Sequence, residues 1–186
     1  MQENRKKDSF YRKSIFRWMV VIAWMCMIFM FSAMPADDST QTSLWVGEKI
    51  CSVTVPGYQK LNEETKLLYA ENIDHGVRKT AHATEYAMLA VLMCWAIAAE
   101  IQLPEDTWRR RNFLAWFFTT GYAATDEFHQ LFVTGRSGQV TDVMIDSAGA
   151  LAGILLMTCM TGIVRKYKNR HMKEGEVYTC QKPDKS

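Results

Sequence analysis

Four stretches of the chain are apolar enough to leave water, and polar segments separate them. The first, Trp18 to Met34, carries no charge. With the preceding turn from Ser14 it approaches the roughly 20 residues that a spanning helix needs. The second runs from Ala81 to Ala99, with His82 and Glu85 in its first turns. The third, from Asn112 to Val133, holds its ionisable residues in its last turns, and the fourth begins at Asp142 and is apolar from Ser147 to Val164. The pattern predicts an all-α protein, a four-transmembrane-helix bundle with helices at about 14–34, 79–103, 111–133 and 142–164. Between the first two lies a polar stretch, 36–77, with two apolar patches at helical spacing. Leu44, Gly47, Ile50 and Cys51 form one, and Leu61, Thr65, Leu68 and Asn72 the other. Pro56-Gly57 breaks the chain between them. They read as short amphipathic helices that lie on the membrane surface.

Composition alters this picture little. The chain has 186 residues and a net charge of +2, so no global field marks it as a nucleic-acid binder. Its slightly negative mean hydropathy averages long polar segments with very apolar ones. Cys26, Cys51, Cys94, Cys159 and Cys180 have no CxxC spacing, which gives neither a disulfide framework nor a zinc knuckle.

The placement of basic residues orders the ends. Arg5, Lys6, Lys7, Arg12, Lys13 and Arg17 precede the first helix, Arg109 to Arg111 precede the third, and Arg165, Lys166, Lys168 and Arg170 follow the fourth. The 36–77 stretch is net acidic. The positive-inside rule then puts both termini in the cytoplasm, with a basic segment at 1–13, a membrane domain at 14–165 and a polar tail at 166–186 that is disordered toward its end. A signal peptide has a similar basic start. However, no small-x-small cleavage site follows Phe31, and Pro35 occupies its place, so the first helix reads as retained.

That topology brings twelve polar residues to one depth on the outer side: Arg78, Lys79, His82, Glu85, Tyr86, Asp126, Glu127, His129, Gln130, Arg136, Asp142 and Asp146. His82, Glu85, Tyr86 and Leu89 share one helix face, and Asp142, Asp146, Gly149 and Gly153 another. The last two make a Gly-x-x-x-Gly step that suits a close helix neighbour. Ionisable groups at a membrane-embedded level must pair, see water or bind something. Single members of the layer can equally be helix-end glue, and Asp142 suits the positive end of a helix dipole. Asp126 with His129, or Glu85 with His82, could serve as acid and base. Arg78, Lys79, Tyr86, Glu127, Gln130, Arg136, Asp142 and Asp146 are the substrate-binding candidates. Arg136, between Gly135 and Gly138, combines a cation with loop N–H groups, which suits a phosphate or carboxylate. A divalent ion on His82, Glu85, Asp126, His129 and Asp142 is the weaker reading, since no two histidines share an i, i+4 step. No metal and no other cofactor is expected.

RKTAHATEYAMLAVL (78–92), YAATDEFHQLFVTGRSGQVTDVMIDSAGALAGILL (122–156) and the FSAMP that ends the first helix together resemble the VanZ family. The family pattern has an aromatic where Ala83 stands, a departure that touches packing and not charge. The resemblance implies a small polytopic membrane protein linked to resistance to teicoplanin and related lipoglycopeptides, which bind cell-wall precursors outside the membrane. It also implies that the same polar layer, with Gly135, carries the function. Three functions stay open at this point. The layer could engage an anionic envelope lipid or lipid-linked precursor, it could modify one by acid–base chemistry, or it could pack helices in a partner of the cell-wall machinery.

Overall fold

The computed structural model describes residues 2–100 and 108–180. Among them it has five α-helices, one short 3-10 turn and no strand. The helices are α1 (Gln2–Ser32), α2 (Ala36–Thr54), α3 (Glu63–Glu100), α4 (Trp108–Gln130) and α5 (Val140–Cys180), and the 3-10 turn is Tyr58–Lys60. Residues 101–107, where the expected second helix ends and its connection to the third begins, and the last residues of the tail, 181–186, lie outside the described residues.

Helix α3 is the hub, since α1, α2, α4 and α5 all pack on it. The core is built from Val21 and Ile28 of α1, Tyr86, Leu89, Ala90, Met93 and Cys94 of α3, Ala115 and Ala123 of α4, and Ala150 and Ile154 of α5. Alanines dominate the contributions of α4 and α5, so these helices lie close to α3. The closest approach is at the glycine step. A Cβ on Gly149 would stand 2.8 Å from Ala83 Cα, and one on Gly153 would stand 3.0 Å from Ala87 Cα. The outer faces are apolar instead: Met30 is 70% exposed and Leu156 66%.

Segments within α1, α3 and α5 (Tyr11–Ser32, Glu63–Ala98 and Val140–Lys168) are long and apolar enough to cross a membrane. Helix α4 has the length, 23 residues, or about 35 Å. Its Thr119, Thr120, Tyr122, Thr125, Asp126 and Glu127 dilute the apolar run, so by composition three helices qualify and not the four expected. Side-chain bonds join the bundle where hydrocarbon supplies no partners. Trp24 donates to Glu85 O (3.1 Å), Tyr122 to Met25 O (2.7 Å), and Asn112 Nδ2 to Thr158 Oγ1 (3.2 Å).

The polar 36–77 stretch is more ordered than its surface patches suggest. Pro35 opens α2, and the breaker Pro56-Gly57 closes it, with Gly57 at φ 78°. Asn62 Oδ1 then accepts from Thr65 N–H at 2.9 Å, and Glu63 and Glu64 occupy the positive first turn of α3. The second patch is therefore no separate helix. It forms the opening turns of a 38-residue helix, about 57 Å long, against an apolar bilayer core of about 30 Å. Helix α2 packs on this extension, where Gly47 faces Ala70 and Cys51 and Tyr58 are buried. The two make a helical hairpin beside the start of the expected second span.

Candidate functional site

Between this hairpin, the end of α4 and the start of α5 lies a cleft of about 250 Å³. Eight of the twelve expected residues line it: Arg78, Lys79, His82, Glu127, Gln130, Arg136, Asp142 and Asp146. The other four lie around it. Tyr86, fully buried one turn beyond His82, donates its hydroxyl to Asp126 Oδ2 at 3.0 Å. Glu85 faces a neighbouring cavity and stands 3.8 Å from His82 Nδ1, too far for a hydrogen bond. His129 turns toward α1, its ring 4.5 Å from that of Phe29. Of the acid–base candidates, His129 stacks on Phe29 of α1, Asp126 accepts from Tyr86 through Oδ2, and His82 and Glu85 stand close without a hydrogen bond.

Each wall has its own support. Lys79 pairs with Asp142 across the α3–α5 seam at 2.9 Å. Arg78 pairs with Asp74 at 2.8 Å and reaches Thr40 Oγ1 on α2 at 3.3 Å. Asp74 is buried and also accepts from Ser43. Asp74, Ser43 and Thr40 were not singled out from the sequence, although Asp74 stands one turn before Arg78 and the spacing alone pairs them.

The 131–139 loop forms the third wall. Gly135 has φ 76°, and a Cβ there would stand 3.0 Å from Ala36 Cβ. Gly138 presses on Glu127 O, so it too has no room for a side chain. The loop N–H groups expected to meet an anion are partly engaged: Arg136 N donates to Val133 O (3.1 Å), and Gln139 N to Glu127 Oε2 (3.0 Å). The Arg136 side chain reaches further. Its Nε donates to Met34 O at 2.9 Å and Nη2 to Phe31 O at 3.2 Å, which caps the end of α1. Burial draws its guanidinium down from the ordinary value, and the Asp126 carboxylate opposes this. An arginine remains charged throughout.

The cleft therefore sets Arg78, Lys79 and Arg136 opposite Glu127, Asp142 and Asp146. Among the described residues, Asp126 Oδ1, Asp146 Oδ1 and Gln130 Nε2 are buried without a hydrogen-bond partner. Unsatisfied buried groups are uncommon in finished cores and concentrate at sites of function. No three His, Cys, Asp or Glu side chains among the described residues gather closely enough to hold a metal ion.

The Tyr86–Asp126 bond can be weighed directly. Tyr86→Phe strips a buried carboxylate of its one hydrogen-bond partner among the described residues and is expected to destabilise the protein by about 1–3 kcal/mol. In an Asp126→Leu background the same change should be close to neutral. Thermal melts of the four proteins in one detergent measure the coupling, and additive effects would show that the bond contributes nothing.

No curated protein and no solved structure matches the chain. A family model does, over residues 16–161, which takes in every core residue from Val21 to Ile154 and every residue lining the cleft. Together with three helices able to cross a membrane, this match makes the chain a membrane protein that belongs to the VanZ/LLP1 family.

Proposed function

We propose that the cleft engages an anionic lipid or lipid-linked cell-wall precursor at the outer face of a bacterial plasma membrane. Through this engagement the protein lowers the access of teicoplanin and related lipoglycopeptides to their target. In this reading α4 is the fourth crossing, sheltered by its neighbours, and both termini are cytoplasmic. The arrangement needs no cofactor. One observation carries it: Arg78, Lys79 and Arg136 meet in a single cleft of a bundle whose outer surface is apolar. Phosphate and carboxylate groups are the natural counter-charges for such a set.

A second reading, an enzyme acting on the same lipid, draws on the unpartnered oxygens of Asp126 and Asp146. A buried carboxyl oxygen of this kind is suited to exchanging a proton with a bound substrate. Purified protein that converts a labelled lipid precursor would select this reading, and binding without product would select the first.

The function is tested in a sensitive Gram-positive host that makes wild type, Asp126→Asn or Arg136→Gln at matched membrane abundance. Wild type is expected to raise the inhibitory concentration of teicoplanin selectively over that of vancomycin, and both variants to lose at least three-quarters of that rise. Variants that protect like wild type would reduce the cleft to helix glue. A wild type without effect would remove the link to resistance.

A further inference from the structure

A second cavity, of about 270 Å³, adjoins the polar cleft between the end of α1, α2 and α3. Its wall is largely apolar, with Phe31, Met34, Val46, Val77 and Ala81. Ser39, Arg78, His82 and Arg136 line both cavities and so form the junction between them. Glu85 is the acid on the apolar side. It stands seven residues beyond Arg78 on the same helix, about 10 Å along the axis, and its Oε2 lies 3.8 Å from Nδ1 of His82 at the junction. Two arginines thus sit where a polar chamber opens into an apolar one.

Resting on the anion reading above, we propose that the site is bipartite and takes a single-chain anionic amphiphile. The headgroup, a phosphate monoester or similar, lies between Arg78 and Arg136, and the hydrocarbon chain runs along the Phe31, Met34, Val46 and Val77 wall. A free anion would fill the polar chamber alone and leave the apolar one unused. Arg78 already pairs with Asp74, whereas among the described residues the Arg136 guanidinium donates to the Met34 and Phe31 carbonyls, so a neutral chain would leave Arg136 without an ion-pair partner. One molecule with both parts satisfies both cavities, and the apolar wall then selects for the chain that the polar chamber cannot read.

The test uses the full chain in detergent micelles with three radiolabelled probes: decyl phosphate, inorganic phosphate and decanol. Retention is corrected for protein-free micelles. Wild type is expected to retain decyl phosphate at least tenfold more tightly than either of the others. Val46→Trp fills the apolar wall and should bring decyl phosphate down to the level of inorganic phosphate, with inorganic phosphate itself unchanged. Val77→Phe serves the same purpose from α3 if the first variant fails to melt like wild type. If neither phosphate is retained, the anion reading falls and the amphiphile with it. If both phosphates are retained equally, or the wall variants leave decyl phosphate untouched, the anion reading stands and the bipartite site is wrong. Decanol retained as well as decyl phosphate would make the second cavity an ordinary lipid crevice and overturn the proposal.

Discussion

Gly149→Ala is expected to destabilise the protein by about 2–3 kcal/mol, toward the upper end of what overpacking costs. The added methyl would stand 2.8 Å from Ala83 Cα, and the obstacle is backbone, not the end of a flexible side chain. Helix α5 must therefore move away from α3, since neither surface can yield locally. The movement reaches the cleft: Asp146 lies less than one turn before Gly149, and Asp142 holds Lys79 across the same seam. Protection against teicoplanin should fall with stability. Gly162→Ala is the matched control, because a Cβ there meets nothing within 4 Å. There the gain in helix propensity, about 1 kcal/mol, acts unopposed. Melting of the two variants in one detergent should thus shift in opposite directions. A rise in both would mean that α3 and α5 do not approach as closely as Gly149 and Gly153 require.

This seam was legible in the sequence for a simple reason. Asp142, Asp146, Gly149 and Gly153 repeat every turn or nearly so, and a small-residue stripe continuous with acids has one sensible direction, inward. His82 and Tyr86 on α3 were readable by the same spacing. The α2–α3 hairpin was not. Its contact face is made of Ser43, Gly47, Cys51, Ala70 and Asp74, and although Gly47 and Cys51 belong to an apolar patch, the face as a whole is too small and polar to mark a helix–helix contact. A stretch read as surface patches thus proved to hold Arg78 in place through Asp74 and Thr40. Composition also gave α4 more apolar character than it has by residue count. Phe113, Phe117 and Phe118 face outward, and Ala115, Thr119 and Ala123 face the core. For His129 the helix face alone does not say which neighbour it meets. Spacing puts it near Asp126, yet its ring faces Phe29 of α1.

Arg136→Lys separates charge from geometry at the junction, and it is expected to abolish protection as fully as Arg136→Gln. The sequence offered Arg136 as a cation flanked by glycines. In the structure its guanidinium also spans Met34 O and Phe31 O, partners more than 100 residues away in the chain. No local pattern reveals such a tie. Nε and Nη2 donate in the fixed fork of a planar group, and an ammonium on a flexible stem cannot hold both carbonyls in that way. Losing one charge-assisted bond of this kind costs about 1.5–3 kcal/mol. The same substitution frees the turn at 33–35, because Ala36 N–H bonds to Thr134 O of the loop that Arg136 anchors. Lysine should therefore keep the charge while α1 and the hairpin loosen around the cleft, seen as a lower melting temperature and faster proteolysis within 33–36. Full protection by Arg136→Lys with an unchanged melt would show that the site needs a positive charge alone and that the cap on α1 is incidental. Loss of protection with a lowered melt would make Arg136 the residue through which the end of α1, the hairpin and the cleft act as one unit.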